Sequence, residues 1–107
     1  MEIKKLKEVE VLGHMVKMVW SKKVQGGYVS IGEDGKNEIG ISTSTEEHDP
    51  FDVVEILMHE LSEMIHIFMR LRYDDPSVHG NYKFFMDHKE FEMHNKMLAL
   101  TFSKFIK

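Results

Sequence analysis

The sequence predicts an α+β fold, with a small sheet first and two helices after it. Residues 9–42 are rich in β-branched and apolar residues broken by glycines, whereas residues 50–106 carry apolar side chains at helical spacing. Neither a repeat nor a low-complexity linker separates the two halves. We therefore expect a single domain over residues 1–107, with an antiparallel or mixed sheet of three or four strands.

The sheet is expected over about residues 9–42. Residues 9–20 form one strand, or two strands if Gly13 divides the run. Residues 28–31 and 38–41 are short apolar segments on either side of Asp34-Gly35, a dipeptide that favours a tight turn between antiparallel strands. A hairpin is therefore predicted at this turn.

The first helix is predicted over about residues 50–72. Asp49 is a suitable N-cap, and Pro50 suits the first helical position. Arg70 and Arg72 suit the C-terminal end, because positive charge there is favoured by the helix dipole. The apolar face that must cover the sheet or another helix consists of Val54, Leu57, Met58, Leu61, Met64, Ile65 and Phe68.

The second helix is predicted over about residues 83–106, after a long loop at residues 73–82. Its apolar stripe is interrupted by two polar residues, His88 and Asn95. Since the stripe should face the rest of the domain, the His88 side chain is expected to point inward. The stripe consists of Phe84, Phe91, Leu98, Phe102 and Phe105.

The composition excludes several function classes. The chain has no cysteine, which excludes disulfides, thiolate metal sites and a cysteine nucleophile, so any metal must be bound by nitrogen and oxygen. A net charge of −4 with dispersed lysines argues against nucleic-acid binding. No apolar run approaches the roughly 18 residues that span a bilayer, and no signal-peptide core follows the first residues. A cytoplasmic protein without membrane partners is expected, whereas the oligomeric state is left open.

One segment of the first helix carries residue types that suit metal chemistry. His59, Glu63 and His66 are spaced i, i+4 and i+7, so they lie within about 60° of one another around a helix. They can converge on one metal ion, with Glu60 placed to take a proton from a metal-activated water. His88 is the best candidate for a third ligand from another element.

The ligand set and the metal have alternatives. His59, Glu63 and His88 would form a set of two histidines and one carboxylate, which suits zinc but also iron or another divalent ion. If Glu63 points to solvent, His66 could replace it as a ligand. The same residues could instead be the solvated face of an amphipathic helix that binds no metal.

The motif resembles that of a known family. Residues 59–63 read His-Glu-Leu-Ser-Glu, which resembles the His-Glu-x-x-His helix of zincin metallopeptidases with Glu63 in the slot of the second histidine. The order of sheet, motif helix, loop and a helix that begins with Asp-His-Lys-Glu-Phe is similar to minimal zincin-like domains of phages, mobile elements and SprT-type proteins. The resemblance implies His59 as a ligand, Glu60 as the general base and His88 as the third ligand.

The resemblance also implies a substrate and a strand to hold it. An extended peptide or protein substrate would lie along Ile39-Gly40-Ile41 if this strand is at the sheet edge, although it could equally be an interior strand. His79, in the long loop, could approach the substrate. The expected function is a metal-dependent, zinc-type peptidase or related hydrolase. The alternatives are a zincin-like module that binds metal or a protein partner without catalysis, and a metal-free protein whose histidines titrate near neutral pH.

Overall fold

The computed structural model describes residues 2–44, 50–74 and 82–107, and these residues form an α+β fold. This confirms the predicted fold class. The predicted N-cap Asp49 and the loop residue His79 lie outside the described residues. The elements are β1 (Glu8–Val11), β2 (His14–Ser21), β3 (Gly27–Ile31), β4 (Asn37–Ser42), α1 (Pro50–Phe68), β5 (Arg72–Asp74), β6 (Tyr82–Phe84) and α2 (His88–Ser103).

The main sheet is mixed and has the strand order β1-β2-β4-β3. The chain turns between β1 and β2 at Leu12 and Gly13, which both have positive φ. The predicted turn at Gly35 connects the antiparallel strands β3 and β4, while β2 and β4 are parallel. Glycine therefore ends strands at the positions where the sequence predicts breaks, because it adopts positive φ at little cost.

Strand β4 is an interior strand, which corrects one part of the predicted substrate site. Ile39, Gly40 and Ile41 are buried, and their backbones pair with β2 on one side and β3 on the other. An added peptide strand needs unpaired backbone groups, so these residues cannot hold a substrate in that way. The edge strand next to β4 is β3.

The core lies between the sheet and α1, and α2 packs on α1 and β1. The helix α1 packs on β3 and β4 through apolar side chains at helical spacing. No described helix combines the length and apolarity needed to cross a membrane. The buried apolar residues of the core are Val9, Val11, Val16, Met18, Ile39, Ile41, Val53, Leu57, Leu61, Met64, Ile65 and Phe105.

Helix α1 ends at Phe68, four residues before the predicted end at residue 72. The N–H of Leu71 donates to the carbonyl of His66 and the N–H of Arg70 donates to that of Ile67, which is the Schellman arrangement that closes a helix. Arg70 has φ 59°, the left-handed conformation this arrangement needs. After the cap, β5 pairs with β6, where the sequence predicts an irregular loop.

Helix α2 begins at His88 rather than near residue 83. The Asp87 side chain accepts a hydrogen bond from the Glu90 N–H at 2.8 Å, and the Glu90 side chain accepts one from the Asp87 N–H at 3.0 Å. This capping box fixes the start of the helix. The residues before it, Tyr82–Phe84, are in β6 instead.

Candidate metal centre

Three ligating side chains converge on one part of α1. His59, Glu60 and Glu63 each offer a ligand atom within 4.8 Å of the others. His59 Nε2 lies 3.5 Å from Glu63 Oε2 and 3.8 Å from Glu60 Oε1. The imidazole is open to solvent, with 70% of its side chain exposed, whereas the Glu60 side chain is 8% exposed. The group therefore has one face towards solvent and one towards the sheet.

Glycine in the neighbouring strand makes room for the Glu60 side chain. A Cβ atom at Gly27 would lie 2.8 Å from Glu60 Cγ and 2.8 Å from Ile56 Cγ2, closer than such atoms approach in proteins. The absence of a side chain at Gly27 thus allows the edge strand β3 to pack directly on this part of α1. Because Glu60 is held against the strand, its carboxylate is largely removed from water.

The surroundings of Glu60 raise the pKa of its carboxyl group. The main cause is desolvation by burial, and the negative charge of Glu63 adds to it, while His59 and Arg72 act in the opposite direction. A carboxylate whose pKa is raised accepts a proton more readily near neutral pH. This is the property required of a general base that takes a proton from water.

An arginine of β5 holds the second carboxylate of the group. Arg72 Nη1 lies 3.2 Å from Glu63 Oε1, and both side chains are largely buried. The guanidinium group also lies 3.5 Å above the centre of the Tyr82 ring on β6. The β5–β6 hairpin therefore fixes one oxygen of Glu63 and leaves the other, Oε2, on the side of His59. The sequence does not predict this role of Arg72, because no periodicity relates Arg72 to Glu63.

The donor set fits a divalent metal ion. Two ligands bound about 2.1 Å from one tetrahedral ion lie about 3.4 Å apart. The distance of 3.5 Å between His59 Nε2 and Glu63 Oε2 is close to this value. One imidazole nitrogen and carboxylate oxygens are ligands that zinc, iron and manganese accept. His59 and Glu63 are thus suitable ligands, and Glu60 is near enough to contact a water on the same ion.

The structure does not bring His88 into this group, and the prediction that its side chain points inward is wrong. The side chain is 82% exposed, and its Nδ1 lies 3.5 Å from Glu92 Oε1. His88 occupies the first turn of α2, directly after the N-cap, where its side chain is directed away from the packed side of the helix. The packed side is formed instead by His94, Met97, Leu98 and Thr101.

His66, the alternative ligand, lies in a separate buried cluster. Its Nδ1–H donates to the Ser62 carbonyl at 2.7 Å, and its ring contacts those of Phe84 and His94, with ring centres 4.4 Å and 4.2 Å away. His94 Nε2 lies 2.9 Å from Ser62 Oγ. The interpretation of α1 as having a solvated face therefore applies to His59 but not to His66. In the sequence, the helical spacing of His94 with residues 97, 98 and 101 is the signal that His94 lies on the inward face of α2.

The buried His66 ring should make the stability of the protein depend on pH. Its Nε2 has no hydrogen-bond partner among the described residues, and desolvation is the main cause that lowers its pKa. As the pH falls below about 6.5, the unfolded chain binds a proton at this residue before the folded chain does. The stability that depends on a neutral His66 is therefore fully present above about pH 6.5. It is lost as the pH falls towards the lower pKa of His66 in the folded state.

Urea unfolding at several pH values tests this expectation. Between pH 7 and pH 5 the free energy of unfolding of the wild type should fall by at most about 1.4 kcal/mol per pH unit from this residue. In His66→Phe, which cannot titrate, the fall should be smaller. An unchanged pH dependence in this variant would contradict the assignment.

Searches with protein-family models, among curated proteins and among solved structures find no match to this chain. The resemblance to zincins therefore depends on residues 59–63 and on the order of the elements.

Proposed function

We propose that the protein is a metal-dependent hydrolase that acts in the cytoplasm on a peptide or protein substrate, with zinc as the first candidate for the metal and iron or another divalent ion as alternatives. The observation that supports the proposal is the convergence of His59, Glu60 and Glu63 within 4.8 Å on α1. The nearly buried Glu60 gives the group a proton acceptor as well as ligands.

The three residues have different roles in this proposal. His59 Nε2 and Glu63 Oε2 would hold the ion. The ion, when bound, would polarise a water molecule and a substrate carbonyl. Glu60 would accept the proton of the water and return it to the leaving amine. Arg72 is a positioning residue, because it holds Glu63 without contacting the reacting atoms.

Metal content tests the ligand assignment. Protein purified without chelator and then incubated with zinc should retain about one ion per chain, and His59→Ala and Glu63→Gln should each lose it. Glu60→Gln should retain it, since this residue is assigned as the base. His14→Ala removes an exposed histidine outside the group and is the matched control. Absence of bound zinc and iron in the wild type would refute the proposal.

The variant His88→Ala tests whether His88 is the third metal ligand, as the resemblance implies. Since the His88 ring is exposed and lies beside Glu92, we expect this variant to keep its metal. Loss of the metal would mean that His88 reaches the ion when it binds.

Hydrolysis is then measured with the metal-loaded protein on an unfolded protein substrate, and absence of cleavage would leave no support for an enzyme.

A non-catalytic metal-binding module is the second candidate function. Two observations favour it. The hydrogen bond from Arg72 occupies one of the two carboxylate oxygens of Glu63. The group also contains one histidine, whereas zinc hydrolases commonly have more. In this case chelation would lower the melting temperature, and the metal-loaded protein would cleave no peptide.

A further inference from the structure

A cleft lies beside the edge strand β3, next to the candidate metal centre, and Arg72 lines it while also binding Glu63. It has a volume of about 530 Å³ and lies between β3, the C-terminal end of α1 and β5. Side chains on one side of a strand alternate, so Gly27, Val29 and Ile31 share the side that faces α1. Gly27 packs on Glu60, while the other two residues line the cleft. The cleft therefore adjoins the metal centre, with Arg72 and the α1-facing side of β3 common to both.

Two arginines give this cleft a positive end. Arg70 is exposed and has no ionic partner within the described ranges, and Arg72 uses one of its nitrogens for Glu63. Tyr73 lies beside them, and Val29 and Ile67 provide an apolar lining. Such a lining accepts a ligand that carries a carboxylate and an apolar group, because guanidinium groups bind carboxylates through two parallel hydrogen bonds.

Arg70 lines the cleft from a backbone position that the helix cap holds in place. It occupies the helix-ending position where glycine is usual, with φ 59°, and the hydrogen bonds of the cap hold its backbone in place. A non-glycine residue in this conformation costs free energy and can indicate a functional constraint. The cap therefore presents the side chain of Arg70 to the cleft.

The distance from Glu60 to Arg70 sets the position of the anionic group on the ligand. Helix α1 rises about 1.5 Å per residue, so its end at Phe68 lies about 12 Å along the axis from Glu60, and Arg70 follows in the cap. An extended peptide covers this distance with about three to five residues. The outer backbone of β3, which is at the sheet edge, suits an extended peptide more than a compact ligand.

Building on the proposed function, we infer that the cleft selects peptides that carry an acidic side chain about three to five residues from the bond held at Glu60, with Arg70 as the residue that recognises the acid. The charge, the apolar lining and the edge strand all support this substrate class. Arg70 would contribute to binding and not to the chemical step.

Binding to the metal-free protein tests this inference without any requirement for catalysis. The probes are two sets of short fluorescent peptides with neutral residues at random positions and a single fixed residue, which is Glu in one set and Gln in the other. By fluorescence anisotropy, the Glu set should bind at least about tenfold more tightly. Arg70→Gly and Arg70→Asn should abolish this difference, and both residues suit the left-handed cap, so the variants should fold.

Lys36→Gln is the control, because it removes an exposed positive charge outside the cleft. It should keep the preference for the Glu set. Equal binding of the two sets, or a preference that survives both Arg70 variants, would overturn the inference.

If the metal-loaded protein cleaves peptides without preference for Glu, the inference fails and the proposed hydrolase stands. If the preference is present and no peptide is cleaved, the cleft assignment stands and the hydrolase fails.

Discussion

Glu60→Gln should reduce hydrolysis by the metal-loaded protein by about 10²–10⁴-fold and should stabilise the metal-free protein at pH 7. The first effect follows because an amide cannot accept the proton of the attacking water. The second follows because burial raises the pKa of Glu60, so the ionised form is less favourable in the folded chain than in the unfolded chain. Glutamine has nearly the same shape and no charge.

The pH dependence of the stabilisation identifies its cause. The folded state binds the Glu60 proton more tightly than the unfolded state, so the cost of ionisation appears as the pH rises above about 4.5. The gain from Glu60→Gln should therefore be largest at pH 7 and should shrink towards pH 4, in urea unfolding with chelator present. Glu55→Gln, at an exposed position of the same helix, should change stability little. A destabilised Glu60→Gln at pH 7 would contradict the pKa assignment.

Phe105→Ala should lower the free energy of unfolding by about 3–5 kcal/mol, because it removes a large side chain from a packed site. Phe105 is fully buried. Its ring makes an edge-to-face contact with the ring of Trp20, and the two ring centres are 6.1 Å apart. Its carbonyl accepts a hydrogen bond from the Lys4 N–H. This residue thus joins the last turn of the described chain to its first residues and to β2.

Such a loss is a large fraction of the roughly 5–15 kcal/mol that stabilises ordinary domains. Urea unfolding should show a much lower midpoint for Phe105→Ala. Leu100→Ala is the matched control, since Leu100 is a large apolar residue near the same end of the chain but is 51% exposed. Similar midpoints for the two variants would show that Phe105 does not pack as described.

Local signals predicted much of the fold. The turn at Asp34-Gly35 and the helix start at Pro50 are determined by backbone preferences of the residues themselves, so the sequence carries them directly. The predicted end of α1 is four residues later than the observed one because the cap uses Arg70, and arginine gives no signal for a left-handed position. The β5–β6 pair was missed for a related reason, since its strands have only three residues each.

The candidate site was predictable where one helix determines it. His59, Glu60 and Glu63 are adjacent because of the helical repeat, which sequence spacing gives without tertiary information. Gly27 and Arg72 join the site through packing of other elements on α1, and no spacing in the sequence connects them.

His88 was assigned inward because the aromatic residues of the second helix suggested one apolar stripe. In the structure Leu98, Phe102 and Phe105 of the predicted stripe pack on the core, whereas Phe84 and Phe91 are exposed. His94 and Thr101 complete the buried side of the helix. The later part of the stripe packs as predicted, but which residues of the first turns are buried depends on contacts with α1, which helical spacing alone does not show.

The β5–β6 hairpin connects two groups that the sequence keeps apart. Its first strand supplies Arg72 to Glu63, and its second strand supplies Phe84 to the ring of His66. A local opening of the hairpin would break both contacts together, so we expect the hairpin and the outer side of α1 to open as one unit in local unfolding. Amide hydrogen exchange in the two strands should therefore report on the candidate metal centre and the buried histidines at the same time.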